Sequence, residues 1–242
     1  MRVLIGSGFF AFAGLALAGI NDITIPCPPD AYQVAYASNI NVGDSYVNIT
    51  NAGTRGGYDA SQTGFGPTGG ICANVYVFDP SEEMVSCCSC YVSPDGLRSL
   101  SVQNDLVSKT LTPSKPNGVV IKLVATAGDS SSTCDPAGFS VYTKVIQPAG
   151  WSSPRDVGSG RFDAESSPLG LEGGMRAWLT TLHLNTATGA SALTENAFQQ
   201  ALLSLSELQK LTTFCAFIKA NGSSYGICNS CRLGGTLGGD VR

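Results

Sequence analysis

Apolar and polar positions alternate with a period of two along residues 71–78, where Ala73, Val75 and Val77 fall on one face and Asn74, Tyr76 and Phe78 on the other. β-branched and aromatic residues dominate both faces, which predicts a strand covered at least in part on each side. Asp79-Pro80-Ser81 should end it, because proline lacks the ladder donor and presets φ for a turn. The alternation recurs in residues 45–50, with Val47 and Ile49 inward and Tyr46, Asn48 and Thr50 outward. It recurs in 97–102, in 119–127 with Val119, Ile121, Leu123 and Ala125 together, in 139–146, and in 175–184 with Trp178, Leu182 and Leu184 on one face. Residues 106–111 are expected as one more short strand.

The period changes to that of a helix over 205–220, where Leu208, Leu211, Cys215 and Ile218 form one apolar stripe. Ser204 and Glu207 have the spacing of a capping box, and Asn221-Gly222 is a stop signal. Residues 194–203 are expected to extend this helix at its front. Two stretches rich in Gly, Ser and Thr or Pro, 51–70 and 147–174, read as long loops. Strands at short intervals followed by one helix predict a mainly β chain. The expected architecture is an antiparallel β-sandwich, Ig-like or jelly-roll-like, with a C-terminal helix docked on it.

Cysteine changes this picture from a fold to a cross-linked fold. The chain has nine, and Cys72, Cys87, Cys88 and Cys90 lie within the segment ICANVYVFDPSEEMVSCCSC. Vicinal cysteines bridge each other only with strain, so Cys87, Cys88 and Cys90 should reach distant partners from what reads as a loop. The expected framework comprises Cys72, Cys87, Cys88, Cys90, Cys134, Cys215, Cys228 and Cys231, in any of 105 connectivities. Cys27 is then the odd thiol. The alternative is a metal or cluster site of Cys88, Cys90, Cys228 and Cys231, whose C-x-C and C-x₂-C spacings suit zinc or iron–sulfur ligation. An oxidising compartment disfavours it, because such thiols become disulfides there.

The compartment is read from the start of the chain. Arg2, an apolar run over 3–15 and Ala16-Leu17-Ala18 have the order of a secretory signal with its cleavage site. The expected organisation is a signal peptide over 1–18, an arm over 19–30, and a β-sandwich with helix and cysteine-rich tail over 31–242. The chain carries 14 Lys and Arg against 18 Asp and Glu, so loss of Arg2 would change the net charge from −4 to 13 − 18 = −5. No basic stripe exists to neutralise phosphates, which argues against a nucleic-acid partner. No second long apolar stretch follows, so no membrane partner is expected after signal removal. In the arm, Ile23 and Ile25 alternate with Asp22 and Thr24 before Pro26-Cys27-Pro28-Pro29. An edge strand of its own domain and a strand donated to a neighbour are both open, which makes Ile23, Ile25 and Cys27 the candidate intersubunit residues.

Candidate chemistry is sparse. Asp79, Glu82 and Glu83, or Asp163 and Glu165, offer oxygen ligands or a carboxylate pair, but without a known loop spacing they read as solvated turns. Gly222-Ser223-Ser224-Tyr225-Gly226 fits G-x-S-x-G, yet it follows a helix where a nucleophile elbow needs strand, turn, helix. The single histidine, His183, precedes it in the chain, and no His-based triad can be assembled. Asn48-Ile49-Thr50 and Asn221-Gly222-Ser223 are glycosylation sequons. No cofactor is expected and no catalytic residue is assigned.

The segment ICANVYVFDPSEEMVSCCSC, together with LSELQKLTTFCAFIKANGSSYGICNSCRLG, resembles a group of secreted bacterial proteins of unassigned activity that carry both cysteine blocks. The resemblance implies secretion and a shared cysteine framework, and no site. The expected function is a non-enzymatic extracellular structural protein, a subunit of a surface fibre or filament that self-associates into a homopolymer by strand addition. The alternatives are an adhesin or carbohydrate-binding module that presents Tyr58, Phe65, Trp151 and Phe162 to a glycan or surface ligand, and a cysteine-ligated metal or redox protein.

Overall fold

The computed structural model describes residues 24–25, 27–54, 69–112, 114–128, 134–137, 170–229 and 232–233. The expected signal peptide over 1–18, Ile23, Tyr58, Phe65, the strand over 139–146, Trp151, Phe162, Asp163, Glu165 and Cys231 lie outside them. Ten strands are described: β1 (Tyr32–Ser38), β2 (Ser45–Asn51), β3 (Ile71–Phe78), β4 (Met84–Val92), β5 (Leu97–Ser101), β6 (Gly118–Ala127), β7 (Met175–Leu184), β8 (Ser191–Ala197), β9 (Gln199–Gln200) and β10 (Arg232–Leu233). One π-turn (Val102–Leu106) and one α-helix, α1 (Leu205–Ala220), complete the described elements.

The strands form two antiparallel sheets, one in the order β4-β3-β6-β1-β9 and the other β10-β5-β2-β7-β8. Alternation along each strand decides what lies between them. Val75, Val77, Ile121, Leu123 and Ala37 from the first sheet meet Val47, Ile49, Leu100, Ala177 and Leu179 from the second, and all are buried in one cluster. The opposite face of the first sheet presents Tyr32, Tyr76, Phe78 and Val124, and α1 covers it with Leu208, Leu211, Cys215 and Ile218. The result is a β-sandwich with a helix on one outer face, as the sequence pattern implied. Because β3 lies between these two apolar layers, all of its residues are buried.

Two local expectations are corrected. Residues 106–111 are not a strand: the chain leaves β5 into the π-turn, where the Val107 N–H donates to the Val102 carbonyl at 2.9 Å. Side-chain acceptors hold it there, with Asp44 taking the Gln103 N–H, Asp105 the Ser101 N–H and the Ser101 hydroxyl oxygen the Asn104 N–H. Residues 194–203 do not extend the helix. A turn at residues 185–190, in which the Asn185 carboxamide accepts the Ala187 and Thr188 N–H groups and Gly189 sits at φ +68°, folds β8 back onto β7. Pairing with β7 overrides a weak helical propensity.

Three fastenings hold α1 to the sheet. Ser204 caps its first turn by accepting the Glu207 N–H at 3.2 Å, which leaves the Glu207 carboxylate to meet Lys122 Nζ of β6 at 2.5 Å. Lys122 also lies 4.7 Å from the Phe78 ring centroid, and Lys210 of the helix lies 5.3 Å from it. Cys215 is bonded to Cys87 of β4. Near the C-terminal end Lys219 pairs with Asp135, an exposed contact worth about 0–1 kcal/mol.

Tyr76 is buried beneath this helix and donates its hydroxyl to the Pro136 carbonyl at 2.7 Å. Burial, and then the Asp135 carboxylate, push its phenol well above the usual tyrosine range. Burial and Glu207 do the same to Tyr32. Both rings stay neutral in the folded chain, whereas in the unfolded chain tyrosine ionises near pH ~10. Their contribution is therefore complete below that pH and is lost as pH rises above it. We expect the urea midpoint to fall steeply above pH ~10. Tyr76→Phe should lower stability by ~1–3 kcal/mol at pH 8 through the unpaired carbonyl, and make that alkaline fall shallower. An alkaline slope identical to that of the parent would refute the assignment.

Candidate functional site

The cysteine-rich segment is strand β4, not the loop that its turn-flanked composition suggested. The pleat explains how one short segment can serve partners on both sides of the sheet: neighbouring side chains on a strand point to opposite faces. Cys87 points to the helix-covered face and bonds to Cys215, with Cα atoms 5.9 Å apart. Cys88 points to the sandwich side and bonds to Cys228 of the tail, at 5.4 Å. Cys90, two residues on and in the same interior cluster as the residues Cys88 packs against, is also disulfide-bonded. A further bridge, Cys72–Cys134, ties β3 to the segment that carries Asp135 and Pro136. The sulfurs of Cys88 and Cys228 are thus bonded to each other and are not free to ligate a metal, which removes two of the four donors of the alternative site.

The tail follows the disulfide onto the edge of β4. Cys87 donates its N–H to the Gly226 carbonyl, the Cys228 N–H returns to the Cys87 carbonyl, and Cys87 and Ile227 form a parallel bridge. Asn229 then donates to carbonyls of the π-turn at Asn104 and Asp105.

The described part of the arm is seated on its own chain. Thr24 bridges Ser204, and Ile25 donates its N–H to the Leu203 carbonyl at 2.9 Å. The Ile25 side chain is buried in the helix-facing cluster. Of the two arrangements open for the arm, residues 24–25 take that of an edge strand paired with its own chain. Cys27, the free cysteine of the described residues, is half-buried beside it, and burial followed by the Asp30 carboxylate pushes its thiol up. At neutral pH it is a thiol, not a thiolate.

The remaining sequence candidates separate. Asp79 accepts the Ser81 and Glu83 N–H groups, the signature of a self-contained turn. Ser224 lies in the turn after α1 at φ +64°, and His183 bonds Thr194 on the β7–β8 hairpin. Asn48 is buried: its carboxamide donates to Thr180 and accepts from Ser99, so the first sequon does not present its nitrogen. Asn221, in the second, is an exposed helix cap.

Two features escaped sequence reasoning. One is the polar row on the outer face of the second sheet, Ser99 to Asn48 to Thr180 to Glu195. The outward alternation of Asn48 was its sequence signal. The other is an open concavity of about 260 Å³ between the β1–β2 loop, the π-turn and the turn before β6, lined by Ile40, Asn41, Gln103, Asn104, Lys115 and Asn117. No local motif marks it, because three separate segments assemble it. Carboxamides and one ammonium suit a small polar or anionic group. No helix among the described residues is long and apolar enough to cross a membrane, and none of their His, Cys, Asp and Glu groups gathers as a metal site.

Comparison with known proteins returned no matching family model, no matching curated protein and no matching solved structure.

Non-reducing peptide mapping should recover Cys72–Cys134, Cys87–Cys215 and Cys88–Cys228. It should also recover Cys90 in a disulfide, and leave Cys27 as a thiol that alkylates slowly at pH 7 and faster as pH rises. A Cys87–Cys88 linkage, or four or more free thiols with bound zinc or iron, would overturn this framework.

Proposed function

We propose that the chain is a secreted, non-enzymatic structural protein of the cell exterior whose copies join into a homopolymer. The observation that carries this reading is the contrast between a first sheet locked by disulfides to the helix, the tail and the 134–137 segment, and an arm seated by noncovalent contacts alone. Each bridge closes a loop of 62 to 140 residues, of a kind that stabilises by ~2–4 kcal/mol. The arm's described seat is the Thr24–Ser204 bridge with its Ile25–Leu203 hydrogen bond, Asp30 accepting the Gly174 N–H at 2.9 Å, Cys27 against the helix-facing cluster, and one buried isoleucine worth ~1.5–3 kcal/mol. A noncovalent seat exchanges between copies without unfolding the scaffold. The Leu203–Ser204 edge that receives the arm of its own chain offers a neighbour the same pairing, so strand addition proceeds as an exchange. Cys27, half-buried in the docked arm, becomes available to lock such a joint only when the arm leaves. Disulfides formed in an oxidising exterior fit the same location.

A second reading, a binding module, is favoured by the amide-lined concavity at the π-turn. It predicts a small polar or glycan ligand, and an empty glycan array together with unchanged stability at millimolar sugar acid would count against it.

For the structural reading, sedimentation at rising concentration should show species larger than a monomer. Ile25→Asp, which destroys the arm's seat, should shorten those species at least tenfold in abundance while the disulfide-locked domain still melts cooperatively. A strict monomer at the highest attainable concentration would end this reading.

A further inference from the structure

A sheet edge exposes unpaired N–H and C=O groups, and chains protect such edges. Three of the four sheet ends here finish in short covering segments: Gly226–Cys228 on β4, β9 on β1, and β10 on β5. The fourth end, β8, is different. It pairs with β7 over seven consecutive residues without a register shift, from Trp178↔Ala197 to Leu184↔Ser191, and all seven of its residues are exposed. It contains no proline and no lysine, and among the described residues no strand pairs with its outer edge.

The hydrogen-bond alternation shows which groups face outward. Phe198 donates its N–H to the Ala177 carbonyl and Asn185 donates to the Ala190 carbonyl, so even-numbered residues of β8 bond inward to β7. Ser191, Leu193, Glu195 and Ala197 therefore turn their N–H and C=O groups to the open side. On one face of the hairpin Leu193 stands opposite Leu182, with Leu184 beside them, and Leu193 and Leu184 are 53% and 44% exposed.

We propose that β8 is a docking edge for the β8 strand of a second copy of this chain, paired antiparallel about a twofold axis through Leu193. The proposal deepens the self-association reading and rests on it. A twofold axis perpendicular to the sheet keeps the faces aligned, so only residues of like parity can meet, and the outward groups match in this register. Leu193 then faces its own copy, Ser191 faces Glu195, and Ala192 faces Thr194. The strand is self-complementary on three counts. The outward N–H and C=O groups of Ser191, Leu193 and Glu195 all find partners. Leu182, Leu193 and their two counterparts form a row of four leucines across the joint. Each Glu195 meets a serine, not the other glutamate. An isologous joint of this kind closes as a dimer, so a longer polymer needs the arm as its second, different joint.

The test uses the full secreted chain, with Cys27→Ser to remove the free thiol. Under mild copper–phenanthroline oxidation, Leu193→Cys should give a disulfide-linked dimer on a non-reducing gel, since directly opposed hydrogen-bonded residues lie ~5.5 Å apart. Thr194→Cys, on the other face and out of register, should give at least tenfold less. Leu193→Lys should weaken dimerisation at least tenfold in sedimentation while leaving the melting curve in place. A parent that remains monomeric overturns both this proposal and the self-association reading. A parent that oligomerises, with Leu193→Lys without effect and Leu193→Cys no better linked than Thr194→Cys, overturns the β8 joint alone and leaves the arm.

Discussion

The pleat of β4 is the constraint on which the cross-linked architecture depends. Two adjacent cysteines in an extended strand must point to opposite faces, and β4 is flanked on one face by the helix and on the other by the sandwich interior. Cys87 can therefore reach only the helix layer, and Cys88 only the interior and the tail that closes it. A slip of one residue in the pairing of β4 with β3 would exchange these faces and leave both bonds unmakeable. The register Tyr76↔Cys87 and Val75↔Cys88 is thus tied to the disulfides as firmly as to the hydrophobic pattern.

That constraint also orders the layers around it. β3, next to β4, is apolar on both faces because it lies between helix and second sheet, and Tyr76 joins the two kinds of interaction there by packing under α1 and bonding Pro136. Cys134 sits two residues before Pro136 and is bonded back to Cys72 of the same strand. The helix is held by an ion pair at one end, a disulfide in the middle and an exposed ion pair at the other. Only the partly buried Lys122–Glu207 contact, supported by the Phe78 ring, has the geometry to matter much beside the covalent bond.

Rigidity in the scaffold throws its lightly held parts into relief. The arm and the β7–β8 hairpin differ from the core in the same respect: each is an extended segment at the margin that no described disulfide fastens. One is docked through Ile25, and the other projects with both faces in solvent.

Strand periodicity, the Ser204 cap, the 208/211/215/218 stripe and the Gly222 stop each act over a few residues, and each was legible in the sequence, down to the limits of α1. The helix at 194–203 and the strand at 106–111 were misread because their conformations are imposed from elsewhere, by β7 in one case and in the other by β4 and the tail, where Leu111 donates to the Val85 carbonyl and Lys109 accepts from Gly226. The nine cysteines and their inability to pair with immediate neighbours were also determined by sequence alone. Which distant sulfurs the described bridges join, whether residues 24–25 are seated, and which sheet edge has no partner among the described residues were decided only by tertiary structure. Those outcomes depend on distances between segments far apart in the chain, and no local pattern encodes such distances.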